Sequence, residues 1–310
     1  MKKTAFILGF ITLFSVSAKK AVAQYYFYDN KYYDNPIVFE VGGSIGAMNC
    51  LTDIGGHKGI GENFVKDLNL GKTHISGGIY LSATYKYMFT LRLEGTFGKI
   101  SGDDKVLESV RETTKRRYER NLNFSSKINE VTLGVEVHPL YIFGKNKEDK
   151  EPPLISPYLY VGVGYFSFNP QAKLNGKMVD LQPLSTEGQG FVEYPDRKIY
   201  KLNKLNFPFG VGLKYDLSNV LNLRAEFIYR HTNTDYLDDV STRYIDPTLY
   251  ANYFTGARLT NALLLNDRQY ELDPSHITKP GDVRGRSKNK DSYFTFNLKL
   301  GYTFGRERIK

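Results

Sequence analysis

Five histidines, His57, His74, His138, His231 and His276, are the residues most able to move a proton or hold a metal near neutral pH. They are scattered, with no HExxH, no paired zinc spacing and no GxSxG elbow. Four carboxylates fall close together, Asp235, Asp238, Asp239 and Asp246, and oxygen ligands of this kind suit calcium. Their spacing does not match an EF-hand, and carboxylates in a loop are ordinarily just solvated. His231 with Asp235 offers one further candidate, an acid–base pair for lipid hydrolysis. Gly55, Gly56, Gly59 and Gly61 hint at a phosphate cradle, but no GxGxxG or Walker spacing follows a strand, which makes that stretch a loop. No catalytic, cofactor or metal constellation emerges, and the expectation is a protein that is not an enzyme.

A second set of charged residues sits inside alternating apolar runs: Glu40, Lys86, Arg92, Glu94, Glu130, Glu136, Lys214, Arg224 and Glu226. The final run shows the pattern best. In residues 293–304, Phe294, Phe296, Leu298, Leu300, Tyr302 and Phe304 alternate with Tyr293, Thr295, Asn297, Lys299, Gly301 and Thr303. A period of two gives a β-strand with one apolar and one polar face. The length matches the roughly 9–11 residues of a tilted strand crossing a bilayer. Tyr302 and Phe304, close to the carboxyl end, resemble the aromatic signal by which bacterial outer-membrane barrels are recognised for insertion.

The same alternation recurs seven times upstream. It is carried by Ile37–Ala47, Ile79–Tyr87, Leu91–Phe97, Val131–Val137, Leu159–Tyr165, Phe207–Tyr215 and Leu221–Tyr229. Long and short connections alternate between the runs, and the expected long loops span residues 52–72, 101–126, 169–201 and 232–291. Residues 105–120 have helical character, with Arg116 and Arg117 on a solvated face. The rhythm predicts an all-β fold, an eight-stranded antiparallel up-and-down transmembrane barrel with long extracellular loops and both termini periplasmic. Closure leaves no free sheet edge. Side chains roughly fill a lumen of eight strands, so no solute channel is expected. The nine charged residues would then form a lumen ionic network, pairing charges that cannot reach bulk water.

The amino-terminal stretch sets the compartment. Lys2 and Lys3 precede an apolar run from Ala5 to Val16, and Ala21-Val22-Ala23 offers a small-x-small cleavage site. This predicts a signal peptide over residues 1–23. Residues 24–36, with Tyr25, Tyr26, Tyr28, Tyr32 and Tyr33, read as a flexible periplasmic lead or a tyrosine-rich docking segment. Residues 37–304 then form the barrel and 305–310 a periplasmic tail. The single Cys50 excludes an internal disulfide, and it reads as a small strand-end side chain or, second, an intermolecular link. The net charge of +9 falls to +5 once Lys2, Lys3, Lys19 and Lys20 are removed. A modest excess of this size suggests outer-membrane lipids or anionic partners and not nucleic acid. A mean hydropathy of −0.40 is compatible with a barrel, since only alternate strand residues face lipid. Trp is absent and Tyr (24) and Phe (20) abundant, so any interfacial girdle must be built from those two.

Three stretches carry a resemblance: residues 40–49 (EVGGSIGAMN), residues 181–190 (LQPLSTEGQG) and, above all, residues 234–246 (TDYLDDVSTRYID), with Asp235, Tyr236, Leu237, Asp238, Asp239, Arg243 and Asp246. Together they resemble the PorG-like outer-membrane barrels of Bacteroidota, associated with the type IX secretion system. The resemblance implies a non-enzymatic component that anchors or organises the periplasmic ring of that apparatus, a lipoprotein and its soluble partner. It supplies no catalytic residue. The alternative is a surface-exposed barrel acting in adhesion, ligand binding or envelope integrity. A ring anchor would use residues 25–33 and the turn 144–153, and an adhesin the outer loops.

Overall fold

Alternation holds along all eight long strands of the structure, a computed structural model that describes residues 36–56, 69–143, 154–218, 220–288 and 290–304. The expected signal peptide, nearly all of the amino-terminal lead, the turn 144–153, the tail 305–310, and His57, Gly59 and Gly61 lie outside the described residues. The long strands are β1 (Ile37–Leu51), β2 (His74–Tyr85), β3 (Phe89–Asp103), β4 (Asn123–Val137), β5 (Ile155–Ser167), β8 (Asn203–Asp216), β9 (Leu221–Thr232) and β10 (Ser292–Phe304). Each pairs antiparallel with its neighbours, and the pairings β1–β10 and β3–β4 close the ring. A closed eight-stranded antiparallel barrel is the result. Its first and last strands meet in register, with Phe39 opposite Phe304 and their rings stacked 5.9 Å apart.

Strand β10 shows why the sheet curls. Phe296, Leu298, Leu300, Tyr302 and Phe304 are exposed on the outside, while Thr295, Asn297, Lys299 and Thr303 are buried inside. On β3 the outward series is Phe89, Leu91, Leu93 and Phe97, and the buried one Thr90, Arg92, Glu94 and Thr96. This inverts the arrangement of a globular core: the apolar side chains form an outer belt and the charges are enclosed. Short turns join β2 to β3 and β8 to β9 at one end. Between β2 and β3, Lys86 and Tyr87 both adopt positive φ (46° and 57°), and the Met88 amide donates to the Tyr85 carbonyl at 3.0 Å. Positive φ at both central residues is the hairpin geometry that matches the strands' right-handed twist.

At the other end the long connections fold onto one another as a crown. The stretch 169–201, expected to be a loop, contains a hairpin of β6 (Pro170–Leu174) and β7 (Lys177–Asp180). Asn175 and Gly176, both at positive φ, form its turn. The connection 104–122 begins as a 3-10 helix over Asp104–Val110 and continues as an α-helix over Arg111–Arg120. Arg116 is exposed, as expected, but Arg117 is half-buried because its guanidinium donates to the Gly55 carbonyl of the adjacent connection. The connection 232–291 carries a further helix, Gly256–Asn266, that turns Ala262 and Leu265 inward. These segments share an apolar core, including Ile54, Leu122, Phe168, Leu237, Ile245 and Tyr250, continuous with Met48, Ile128 and Phe166 at the top of the barrel. Cys50 is buried in the same core.

Candidate functional site: a sealed lumen under a folded crown

Inward positions of six strands deliver the lumen charges. Arg92 on β3 is fully buried and reaches Glu136 on β4 at 2.7 Å, Glu226 on β9 at 2.9 Å and Glu94 on its own strand at 3.1 Å. Arg224 on β9 holds Glu136 by two contacts of 2.9 and 2.7 Å, and Glu40 on β1 at 2.8 Å. Strands β3 and β9 stand four places apart in a ring of eight, so the Arg92–Glu226 pair spans the full width of the lumen. Lys214 on β8 completes the lower side, 3.3 Å from Glu40. Nearer the crown, Glu130 on β4 pairs with Arg230 on β9 at 2.6 Å and accepts from Asn206 at 2.7 Å.

Tyrosines fill the space between the charges. Tyr80 donates to Glu40 at 2.5 Å and Tyr158 to Glu226 at 2.9 Å. The Arg92 guanidinium lies 4.1 Å from the Tyr160 ring centre, and the Lys299 ammonium 5.1 Å from that of Tyr80. These rings lie over glycines. A Cβ at Gly42 or Gly301 would strike Tyr80, at Gly212 Tyr158, and at Gly134 Tyr160. The small inward residues are therefore recesses for aromatic rings. Bridged across its width and packed with rings, this interior is filled by its own side chains, as eight strands permit.

The structure gathers eight of the nine predicted lumen residues and places the ninth elsewhere. Lys86 is exposed, because the strand ends at Tyr85 and the turn breaks the alternation that would have aimed it inward; its ammonium lies over the Tyr85 ring. Two cations join that the expected set left out. Lys299 on β10 contacts Glu94 at 2.6 Å and Glu226 at 2.7 Å, and Arg230 holds Glu130. The signal for both was present, since each falls on the polar phase of its own strand. His138, just past β4, lies 3.3 Å from Glu136 and 3.0 Å from the Ser156 hydroxyl. Tyr302 and Phe304 both face outward near the turn end of the barrel.

The motif stretch 234–246 forms the centre of the crown, with Leu237, Asp238, Asp239 and Val240 fully or almost fully buried. Carboxylates in and beside it cap backbone amides or hydroxyls. Asp238 accepts from Ile54 at 2.9 Å and Val240 at 3.0 Å, and Asp291 from Leu237 at 2.8 Å. Asp239 accepts from the Tyr200 hydroxyl at 2.6 Å and from Thr186. From the 181–190 stretch, Glu187 accepts from the Ser241 and Thr242 amides and pairs with Arg284 at 3.1 Å. The two motif stretches are thus bonded to each other. Burial pushes Asp235 and Asp238 up to about 8, helped in both by the charge of Asp53, and pushes Asp239 up to about 6.

Tyr236 is half-buried with its ring stacked on that of Tyr200 at 4.6 Å. Arg243 is exposed and donates to the Gly281 carbonyl at 2.7 Å. Asp246, at the surface, caps the 3-10 helix Pro247–Leu249 through Thr248, whose hydrogen bonds hold its carboxyl below the usual range. Asp246 thus stands apart from the buried aspartates, and among the described residues no three His, Cys, Asp or Glu side chains converge as a metal site. The hydrolytic pair is not assembled either: His231 is exposed on the outward face of β9, while Asp235 is buried.

The family of a domain of unknown function (DUF6089) matches residues 30–252. No curated protein matches the chain. Among solved structures, the chain is similar to Ail, the attachment invasion locus protein of Yersinia pestis, at 10% identity and a TM-score of 0.36, covering 86% of this chain and 97% of that one. It is similar to Neisserial surface protein A at 9% identity and a TM-score of 0.35, over 87% and 98% of the two chains. A major outer membrane protein of Thermus thermophilus gives 15% identity and a TM-score of 0.35, over 86% and 99%. At such identities the likeness is one of fold.

Proposed function

The chain belongs to the DUF6089 family, a domain of unknown function, and on that footing we propose that it is a non-enzymatic outer-membrane barrel serving as a fixed scaffold in the envelope. One observation carries the membrane reading: the barrel is apolar outside and ion-paired inside. Phe97, Leu133, Val161, Phe209 and Leu300 are each half-exposed or more, on five different strands. Water would not favour such a belt, whereas lipid does, and closure satisfies every backbone group that lipid cannot. The filled lumen argues for an anchor over a conduit.

The finer reading is a component of the type IX secretion apparatus that holds its periplasmic ring, a lipoprotein and its soluble partner, at the membrane. Its support is the resemblance carried by residues 40–49, 181–190 and 234–246, two of which meet in the crown. The alternative, a surface barrel in adhesion, ligand binding or envelope integrity, draws on the crown itself, a folded surface at the loop end. Both readings need the protein to insert into vesicles and to resist carbonate extraction; a protein that stays soluble without detergent overturns both. Crosslinking and pull-down from native membranes separates them. Recovery of ring components, with loss of secreted cargo on deletion, is the expected outcome for the anchor. Intact secretion in the deletion strain overturns it and leaves the surface barrel.

A further inference from the structure

Beyond the apolar belt, the first outward positions at the loop end carry no lysine, arginine or carboxylate on three strands: Ser167 on β5, Asn203 on β8 and His231 on β9. The seam between β3 and β4 differs. There Phe97 is opposite Asn129, Lys99 opposite Lys127, and Ser101 opposite Ser125. Both lysines are exposed on the outer face, directly above Phe97. Directly opposed residues on adjacent strands hold their Cβ atoms about 5 Å apart, and like charges in that position repel. Neither ammonium pairs with a carboxylate among the described residues. The nearest acid in the register, Asp103, one row above the serines, is already held by Lys72 at 3.2 Å. His74 lies 2.7 Å from the Ser101 hydroxyl and extends the patch toward β2.

We propose that Lys99 and Lys127, with the Ser101 and Ser125 hydroxyls above them, form a binding site for the phosphate-bearing headgroup of a lipid in the outer leaflet, whose acyl chains lie along Phe97 and the belt below. The proposal rests on the membrane reading given above. Charge complementarity selects the occupant. Two unpaired ammoniums at the edge of an apolar belt stand where headgroup phosphates lie, and a phosphate between them turns a repulsive pair into a bridged one. Long lysine stems reach that level while their methylenes stay against the belt.

The full-length protein, refolded into detergent micelles, is tested by native mass spectrometry with diphosphoryl lipid A and with the same lipid stripped of its phosphates. The expected result is retention of the phosphorylated lipid alone, weakened about tenfold in the Lys99→Gln/Lys127→Gln double variant. It is unchanged in Lys177→Gln, which removes an exposed charge from the β6–β7 hairpin. Millimolar inorganic phosphate should not displace the lipid, because free phosphate lacks the chains that hold it at the belt. Equal retention by the double variant, or of the stripped lipid, overturns the site. If the double variant fails to fold, the charge-conserving Lys99→Arg/Lys127→Arg variant and the salt dependence of the parent decide instead: retention that is insensitive to ionic strength overturns it. Failure of the parent to insert into vesicles would sink the membrane reading, whereas insertion without phosphate preference sinks only this site.

Discussion

The lumen gives every buried carboxylate a cation, and the crown does not. In the lumen, Glu40, Glu94, Glu130, Glu136 and Glu226 each meet at least one of five cations, Arg92, Lys214, Arg224, Arg230 and Lys299. In the crown, Asp238 and Asp291 face backbone amides with no cation in bonding range among the described residues, and they repel each other and Asp53. A barrel wall offers only alternate side chains to its interior, so an inward carboxylate finds its counter-charge on its own strand, on the next strand or across the lumen. A folded loop offers amides, which cap a carboxyl and fix the chain's path without neutralising it. The lumen is thus held by ion pairs throughout, whereas the crown combines buried pairs such as Arg120–Asp104 and Arg284–Glu187 with capped, unneutralised carboxyls over an apolar core.

Removing one lumen cation tests that contrast most severely. Arg92→Met keeps the volume but leaves Glu94, Glu136 and Glu226 facing one another with less counter-charge. Truncating one partner of a buried pair costs about 3–5 kcal/mol, and Arg92 serves three. The expected outcome is loss of the heat-modifiable folded gel band at markedly lower urea than in the parent. Adding Glu226→Gln should restore part of the loss, since it removes one stranded carboxylate. If Arg92→Met unfolds at the same urea concentration as the parent, the lumen pairs do not hold the barrel.

How much of this was legible in the sequence follows from the same contrast. Strand alternation has a period of two and needs no partner to be read, so the eight staves and most of the inward charges could be placed from it. Lys299 is readable by the same rule, on the inward phase of β10. Lys86 escapes the rule, which stops at a turn whose positive φ falls on Lys86 and Tyr87, residue types that do not advertise it. In 169–201, Asn175-Gly176 is the strongest short-range hairpin signal, and it marks β6–β7. The crown as a whole was not legible. Asp238 bonds to Ile54, and Glu187 to Ser241, across separations that no local pattern encodes.

The outer face should respond less than the lumen but in a depth-dependent way. Leu93 is half-exposed in the middle of the β3 belt, opposite Leu81 on β2 and Leu133 on β4. Leu93→Arg should cost roughly 2–4 kcal/mol in a lipid bilayer. The same substitution in detergent micelles, which deform around a charge, should cost less. Unchanged folding in vesicles would mean that this face does not meet hydrocarbon, and the inside–outside assignment of the barrel would have to be reversed.

The crown should show the smallest and most specific effect, through pH. Asp235 and Asp238 have carboxyls raised in the folded state to about 8, from 3.8. The native crown therefore holds more protons than the unfolded chain across that interval, and its stability falls as pH rises through it. The contribution is fully present below the ordinary carboxylate range and lost once pH passes about 8. Limited proteolysis of the reconstituted protein should cut the crown faster at pH 9 than at pH 6, while the folded barrel band persists at both. Asp238→Asn mimics the protonated acid, so it should change crown stability by less than about 1 kcal/mol at pH 6. At pH 9 the variant should outlast the parent. A crown that is equally resistant at both pH values, in parent and variant alike, would mean that these carboxyls are ionised in the folded state, and that a counter-charge meets them as one does in the lumen.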